Sequence, residues 1–334
     1  MKGIAHLAVG VAVATFFPEV VQAAASQGAF GPVLGGVAGL LPDTLDFKVL
    51  RYLHRADVVL DPARLALPSG EPDVQALAEG LAAAADRAHA TGQPVRVRLH
   101  TVQIGGDRWR RWRVRFDEGG RSVTVELGPV VTTGQVPVAG SVGRGEPGRA
   151  RVAVPVHENY DQEITVDIFS GPDVTFRPRG DGVEADFLPW HRAWTHSLPA
   201  ALLVGLAGWL VAPVYGVVMA AALLAHVAVD QLGHMGSNLL APLTRRRTRG
   251  LGLVHSGDAL PNFLAVWVSG AVVVLNLDRF SGSPLLPVWP YLAATVGFPC
   301  LAGIGWKVWG RGRRRGGASL ALLDPVDEDG ALDI

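Results

Sequence analysis

From Leu198 to Val229 the chain carries no Asp, Glu, Lys or Arg, and Pro213 and Gly216 fall near the middle of these 32 residues. An apolar run of that length needs lipid or a large protein core around it, and the central breakers divide it into a helical hairpin. Each arm rises about 24 Å at 1.5 Å per residue, short against a hydrocarbon core of about 30 Å. Local thinning of the bilayer and a half-inserted hairpin both satisfy that length. Similar uncharged runs extend from Gly3 to Pro18 and from Val20 to Pro42, with only Glu19 between them and a bend expected near Ser26-Gln27-Gly28. Two more, Ala259 to Leu277 and Pro287 to Trp306, have spanning length. The N-terminal run shows no clear small-residue cleavage pattern, so it reads as a retained membrane segment rather than a signal peptide.

The 30 basic and 30 acidic residues cancel, but they crowd into Lys48 to Asp186 and into two arginine runs near the C-terminus. The single cysteine, Cys300, excludes an intrachain disulfide and a cysteine-based zinc site. Arg245, Arg246, Arg247 and Arg249 precede the fifth predicted span, and Arg311, Arg313, Arg314 and Arg315 follow the sixth. Two crossings separate the runs, so both lie on one side, and the positive-inside rule makes that side cytoplasmic. Counting backward puts the N-terminus and the charged segment on the same side.

That segment contains an Ala/Leu-rich helical pattern from Asp73 to Ala90. Alternating or β-branched runs follow at Val95–Ile104, Trp109–Phe116, Ser122–Leu127, Arg151–Val156, Glu163–Ile168 and Val183–Phe187, with a hairpin turn at Glu118-Gly119-Gly120-Arg121. The glycines from Gly140 to Gly148 read as a loop, because no strand and helix flank them as a phosphate cradle requires. The acidic tail from Asp324 to Asp333 reads as disordered. The expected fold class is mainly α: a polytopic helical membrane bundle with a small inserted soluble α+β domain. Its parts are a first helical hairpin at 1–47, the insertion at 48–188, a helical bundle at 189–310 and a basic then acidic tail at 311–334.

Four separated blocks place ionisable residues at one expected membrane face: His6; Asp43 with Asp46; His191 to Ser197; and His226, Asp230 and His234. His226 and Asp230 stand four residues apart, the spacing at which two helical side chains can grip one ion. Charge inside a membrane costs about 2.5 to 3.5 kcal/mol on insertion scales, less near a helix end, and a bound metal would compensate it. Blander readings exist for each block. His6 suits a hydrogen-bonded core histidine, Asp43 or Asp46 a turn or cap after Pro42, and Thr195 or Ser197 a helix cap. Arg192 could meet anionic lipid, and His226 with Asp230 could form a buried pair or a proton relay. Convergence on one face, set by arginines outside the motif, favours a metal site. Imidazole and carboxylate donors suit zinc first, with manganese or magnesium where oxygen donors prevail.

The blocks Gly3-Ile4-Ala5-His6, Gly39-Leu40-Leu41-Pro42-Asp43, His191-Arg192-Ala193-Trp194-Thr195-His196-Ser197 and His226-Val227-Ala228-Val229-Asp230, followed by Gly236 to Pro242, resemble a family of bacterial inner-membrane metal-dependent hydrolases of the LexA-regulated type. The resemblance covers about the first 47 residues and Trp190 to about Asn262. Family members usually read Leu-Pro-Asp-x-Asp-His at the second block. This chain has Leu41-Pro42-Asp43-Thr44-Leu45-Asp46-Phe47, with the second Asp shifted by one and the His missing. More distantly, the His-x-x-x-Asp spacing is similar to that of zinc-dependent phospholipase C and P1 nuclease.

The resemblance implies a divalent metal held by residues among His6, Asp43, Asp46, His191, His196, His226, Asp230 and His234, with Asp43, Arg192 and Thr195 in catalytic roles. It implies hydrolysis of a phosphoester, such as a phospholipid or lipid-linked headgroup, at the cytoplasmic face of the inner membrane. The expected partners are membrane lipid, that substrate and a protein bound by the insertion; no nucleic acid is expected. The alternative is a non-enzymatic transport or assembly factor with a structural metal.

Overall fold

The computed structural model describes residues 2–28, 30–117, 119, 121–134, 136–141, 145–158, 164–166, 171–244, 247–254 and 258–305. Glu118, Gly120, Arg245, Arg246, His255, the run from Arg311 to Arg315 and the tail from Asp324 to Asp333 lie outside the described residues. In chain order the elements are helices α1 (Gly3–Ala14), α2 (Pro18–Gln27) and α3 (Phe30–Leu45), then a π-helical turn (Asp46–Leu50) running into α4 (Arg51–Leu53). Strand β1 (Val58–Leu60) and helix α5 (Val74–Thr91) precede strands β2 (Val95–Leu99), β3 (Val102–Gly105), β4 (Arg108–Phe116), β5 (Ser122–Thr132), β6 (Gly148–Arg151), β7 (Val156–Glu158), β8 (Ile164–Val166), β9 (Asp173–Arg179) and β10 (Gly182–Phe187). A 3-10 turn (Trp194–His196) leads to α6 (Leu198–Val211), α7 (Pro213–Gln231), α8 (Ala259–Arg279) and α9 (Val288–Leu292), which continues as a π-helical turn (Ala293–Gly297). The chain forms two compact units, one of Met1–Leu41, Ala201–Gly233 and Leu253–Ile334, the other of Pro42–Ala200 and His234–Gly252.

The first unit is helical, and its polarity is inverted relative to a water-soluble bundle. His6, Thr15, His226, Asp230, Asn262 and Asn276 are buried, whereas Leu202, Leu206, Leu210, Phe263 and Trp267 are exposed. Lipid as the surrounding solvent accounts for that arrangement, because hydrocarbon solvates Leu and Phe but leaves polar groups to partner one another. The Asn276 amide accordingly donates to the Thr15 hydroxyl at 3.1 Å. Helix α1 packs against α7 and α8. Gly39 lets α3 approach α1 closely, since a Cβ there would strike the His6 carbonyl.

Prolines set the helix lengths. Pro18 starts α2 where α1 has ended, and the two helices meet at a bend of 97°. Ala212, before Pro213, is extended with φ −153°, which separates α6 from α7. At 14 residues, α6 reaches about 21 Å, too short to cross about 30 Å of hydrocarbon.

The second unit is built on strands. One sheet has the order β1-β2-β9-β10-β7, with β1 parallel to β2, β7 parallel to β10 and the inner pairs antiparallel. The other runs β3-β4-β5-β6, with β8 added against β4. Alternation along β2 turns Val95, Val97 and Leu99 inward, as a strand's two-residue period requires. Helix α5 begins at Asp73, whose carboxylate accepts from the Gln75 and Ala76 amides, and ends at Gly92 with φ +64°. Its Leu77, Leu81 and Ala85 join Trp112, Val125 and Phe176 in one core.

These observations correct the mainly α expectation. Of the described residues, 49% are helix and 20% strand, which makes this an α+β protein rather than a helical bundle with a small appendage. The alternating runs pair, partly as neighbours and partly across long sequence distances such as β2 with β9, into two five-stranded sheets. Among the described residues, three helices rather than six are long and apolar enough to cross a membrane: Pro213–Gln231, Ala259–Arg279 and Val288–Gly305. A fourth span results if α1 and α2 count as one.

Asp173 fastens the loop after β10 to the first sheet. The Arg98 guanidinium donates to its two carboxylate oxygens at 2.8 and 3.0 Å, and the Trp190 indole N–H donates at 3.0 Å. Asp173→Asn keeps the volume but leaves Arg98, largely shielded from water, without its counter-charge. The expected loss is about 3 kcal/mol of unfolding free energy, read from the denaturation midpoint of the purified chain. A midpoint unmoved by the substitution would refute this role for Asp173.

Candidate metal centre

The first cluster lies within the strand-bearing unit and begins at the end of α3. Pro42 sits inside that helix and cannot donate a backbone hydrogen bond; a few residues later the helix loosens into the π-helical turn at Asp46–Leu50. Asp43 and Asp46, three residues apart, share a helical face. Opposite them stands the loop from Leu188 to Ser197. Leu188 (φ +48°) and Arg192 (φ +54°) are the non-glycine residues with positive φ among the described residues. Such conformations cost about 1–3 kcal/mol each and persist where surrounding contacts hold them. Arg247 supplies several of those contacts, donating to the Phe187, Leu188 and His191 carbonyls at 3.4, 3.3 and 2.8 Å.

The loop folds around the fully buried Asp46 carboxylate. Asp46 Oδ2 accepts from the Arg192 backbone N–H at 2.9 Å and lies 3.0 Å from His191 Nδ1 and 3.2 Å from His196 Nδ1. The Thr195 hydroxyl donates to Asp46 Oδ1 at 2.5 Å. His196 Nε2 is 3.2 Å from Asp43 Oδ1, so the two nitrogens of one ring face two carboxylates. Phe47 packs its ring against both Trp190 and His191, at centroid distances of 5.0 and 4.8 Å. Ser197 is the cap of α6: its hydroxyl accepts from the Ala200 amide and donates to the Trp194 carbonyl. Thr195, by contrast, belongs to the carboxylate cluster.

Electrostatics follow from this packing. Burial pushes the Asp46 carboxyl up, but hydrogen bonds from His191 and His196 outweigh it and hold the group below the usual carboxylate range. His191 is pushed down to about 4, chiefly by burial, against the opposing pull of its Asp46 hydrogen bond. A neutral His191 donates Nδ1–H to the carboxylate and keeps a lone pair on Nε2. Asp46, His191 and His196 each offer a donor atom, all within 4.8 Å of one another, and form a group able to hold a metal ion.

The helical unit holds a second cluster. His6 Nε2 lies 3.3 Å from Asp230 Oδ1, His226 Nε2 lies 3.4 Å from Asp230 Oδ2, and the two imidazole rings lie 3.9 Å apart between centroids, tilted by 30°. His226 Nδ1–H donates to the Gly39 carbonyl at 2.6 Å. In a neutral ring that leaves an Nε2 lone pair directed at a carboxylate, a repulsive contact unless a proton or a cation lies between them. His234 is placed elsewhere, on a polar cleft of the strand-bearing unit.

Sequence reasoning brought out the members of both clusters but missed Asp173, Trp190 and Arg247 as supports of the loop that forms the first. Asp173 had no local signal, since an Asp opening a strand after Gly-Pro reads as a turn residue. Arg247 was assigned to a topogenic run, where its individual role is hidden.

Residues 161–309 match the family model described as YdjM inner membrane protein. The matched stretch includes His191, His196, His226 and Asp230 and all three helices of spanning length. No curated protein and no solved structure gives a significant match. The chain is therefore similar, over that stretch, to inner membrane proteins. The match does not extend to hydrolases or to P1 nuclease.

Proposed function

We propose that this is a membrane-bound metal-dependent hydrolase acting on a phosphoester, such as a phospholipid or lipid-linked headgroup. The reading includes several membrane crossings, with the clusters and the strand-bearing unit on the cytoplasmic side, as the flanking arginines favour. One observation carries it: two imidazoles and a carboxylate, buried and within 4.8 Å of one another, beside an Asp43 carboxylate that stays partly exposed. That donor set suits zinc, with manganese or magnesium as harder alternatives. Asp46, His191 and His196 would hold one ion, and His6, His226 and Asp230 supply donors for another. A bound divalent ion would polarise a phosphoryl oxygen and lower the pKa of a water toward about 7.

The chain's own groups divide the remaining work. Asp46 orients both imidazoles, and Thr195 in turn holds Asp46. Asp43 is the accessible carboxylate that would accept a proton from water. Arg192 would bind a phosphoryl oxygen through its guanidinium.

The test measures metal content and phosphodiester hydrolysis on the same purified protein, using bis(p-nitrophenyl) phosphate. Wild type is expected to retain divalent metal and turn over; His196→Gln should lose about 100-fold in metal affinity and lose turnover with it. A second reading, a transport or assembly factor with a structural metal, draws on the complete burial of His196 and Asp46. Metal retention without turnover on any phosphoester would select that reading. A folded wild-type protein that retains no metal would overturn both.

A further inference from the structure

After α7 the strand-bearing unit carries a turn, residues 238–244, whose polarity is the reverse of an ordinary surface turn. Between its ends the sequence is Leu239-Leu240-Ala241-Pro242-Leu243, with no polar side chain. The polar residues at the two ends bond to one another. The Asn238 amide donates to the Thr244 carbonyl at 2.8 Å, and the Thr244 hydroxyl donates to the Asn238 side-chain oxygen at 3.0 Å. The backbone closes on itself as well, the Ala241 N–H donating to the Asn238 carbonyl and the Thr244 N–H to the Leu240 carbonyl, both at 3.2 Å. Leu240 and Leu243 stand outside, 48% and 79% exposed. Turns in water favour Gly, Pro, Asn, Asp and Ser, and their polar groups meet solvent. A turn that satisfies its hydrogen bonds internally and presents leucine outward is matched to a medium that cannot hydrogen-bond.

The neighbourhood of the turn identifies that medium. The Leu198 N–H donates to the Leu239 carbonyl at 2.9 Å, which sets the turn beside the first residue of α6. From that residue to Val229 the chain carries no charge, and both Leu198 and the preceding Trp194 are exposed. The apolar surface of the turn is therefore continuous with the start of an apolar run that needs lipid around it. Tryptophan beside leucine at the end of such a run is the composition of a membrane–water interface. A protein partner does not fit the size of the patch. Stable protein interfaces bury about 1,200–2,000 Å², of which Trp194, Leu198, Leu240 and Leu243 supply only a small part.

We infer that the turn at residues 238–244 inserts Leu240 and Leu243 among phospholipid acyl chains just below the headgroups, so that the strand-bearing unit has a membrane anchor of its own. The anchor is tied to the candidate metal centre. The Asn238 N–H donates to the Arg192 carbonyl at 3.0 Å, and the Arg192 N–H donates to Asp46. Insertion of the turn holds the loop around Asp46 near the headgroups, where a lipid-borne substrate presents its phosphoester. That consequence rests on the proposed hydrolase; the insertion does not, and its test uses neither metal nor substrate.

Full-length protein with Cys300→Ala and Leu243→Cys, labelled at the new thiol with the environment-sensitive fluorophore NBD, is placed in phosphatidylcholine nanodiscs, whose two faces are both open to solutes. Emission is expected to shift to the blue, to resist quenching by aqueous iodide, and to be mostly lost when the phosphatidylcholine carries a doxyl group near the carbonyl end of its chain. A label at Leu240→Cys should behave in the same way. Both leucines are exposed, and an unchanged melting temperature shows that each labelled variant is folded. Emission at the aqueous wavelength with quenching by iodide would overturn the inference. So would shielding from iodide without quenching by doxyl lipid, which would assign the patch to a protein partner or a second copy of the chain. Stronger quenching by a mid-chain doxyl group than by one near the carbonyl would overturn the placement at the interface.

Discussion

Asp46→Asn is expected to remove metal binding at the first cluster and to destabilise the strand-bearing unit. The Asp46 carboxylate accepts the Arg192 N–H and the Thr195 hydroxyl and lies beside one nitrogen of each of two imidazoles. An amide of the same shape turns one of those acceptors into a donor. With its nitrogen at the Oδ2 position it would oppose the Arg192 N–H; at the Oδ1 position it would oppose the Thr195 hydroxyl and force it to rotate. The negative charge that orders both imidazoles is lost in either orientation. Metal affinity should fall by about two orders of magnitude and unfolding free energy by about 3 kcal/mol. Metal titration and chemical denaturation measure the two effects separately. An unchanged titration would show that Asp46 neither binds nor orients a ligand.

The second large effect is a loss of stability on acidification of the metal-stripped protein. His191 has a folded pKa of about 4 against an ordinary value of 6.5, so between those limits the unfolded chain binds the additional proton. Stability is therefore fully present above pH about 6.5 and falls as pH drops toward about 4, by about 3 kcal/mol from this group. Asp46 acts in the same direction at lower pH. Its folded pKa lies below the ordinary 3.8, and its contribution is lost as pH falls below that value. Denaturation midpoints across pH 4 to 8 in chelator provide the measurement, with His191→Gln as the comparison. The variant should show a markedly flatter profile between pH 4 and 6.5. An equally steep variant would assign the dependence to another group.

Much of the site could be read from local spacing. The i,i+4 pair His226 and Asp230 does bring its groups to 3.4 Å, because helical periodicity alone fixes that distance. Asp43 and Asp46 were legible as neighbours on one helical face, but the one-residue shift obscured what Asp46 does. Its contacts depend on a π-helical turn and on a loop with two positive-φ residues, neither of which has a sequence period. The strands were visible as alternating runs. Their pairing was not, because β2 meets β9 and β10 meets β7 through contacts no local pattern specifies. Counting uncharged runs overestimated the spans, since charge reports the preferred solvent of a segment while helix length depends on breakers such as Pro18 and Pro213.

The distance along the chain between Asp46 and its partners has a consequence for biosynthesis. His191 and Thr195 follow Asp46 by 145 and 149 positions, and both sheets are encoded between them. At about 5–20 residues per second, the ribosome needs roughly 7–30 s to deliver those partners after Asp46 has been made. Throughout that interval the carboxylate has none of the partners supplied by the later loop. The partners of Asp46 are all present only once this stretch has been synthesised, so under the proposed metal site no ion would be held there before the loop from Leu188 to Ser197 is made. Nascent chains arrested before Trp190 should not load metal at this cluster, however well their earlier helices are inserted.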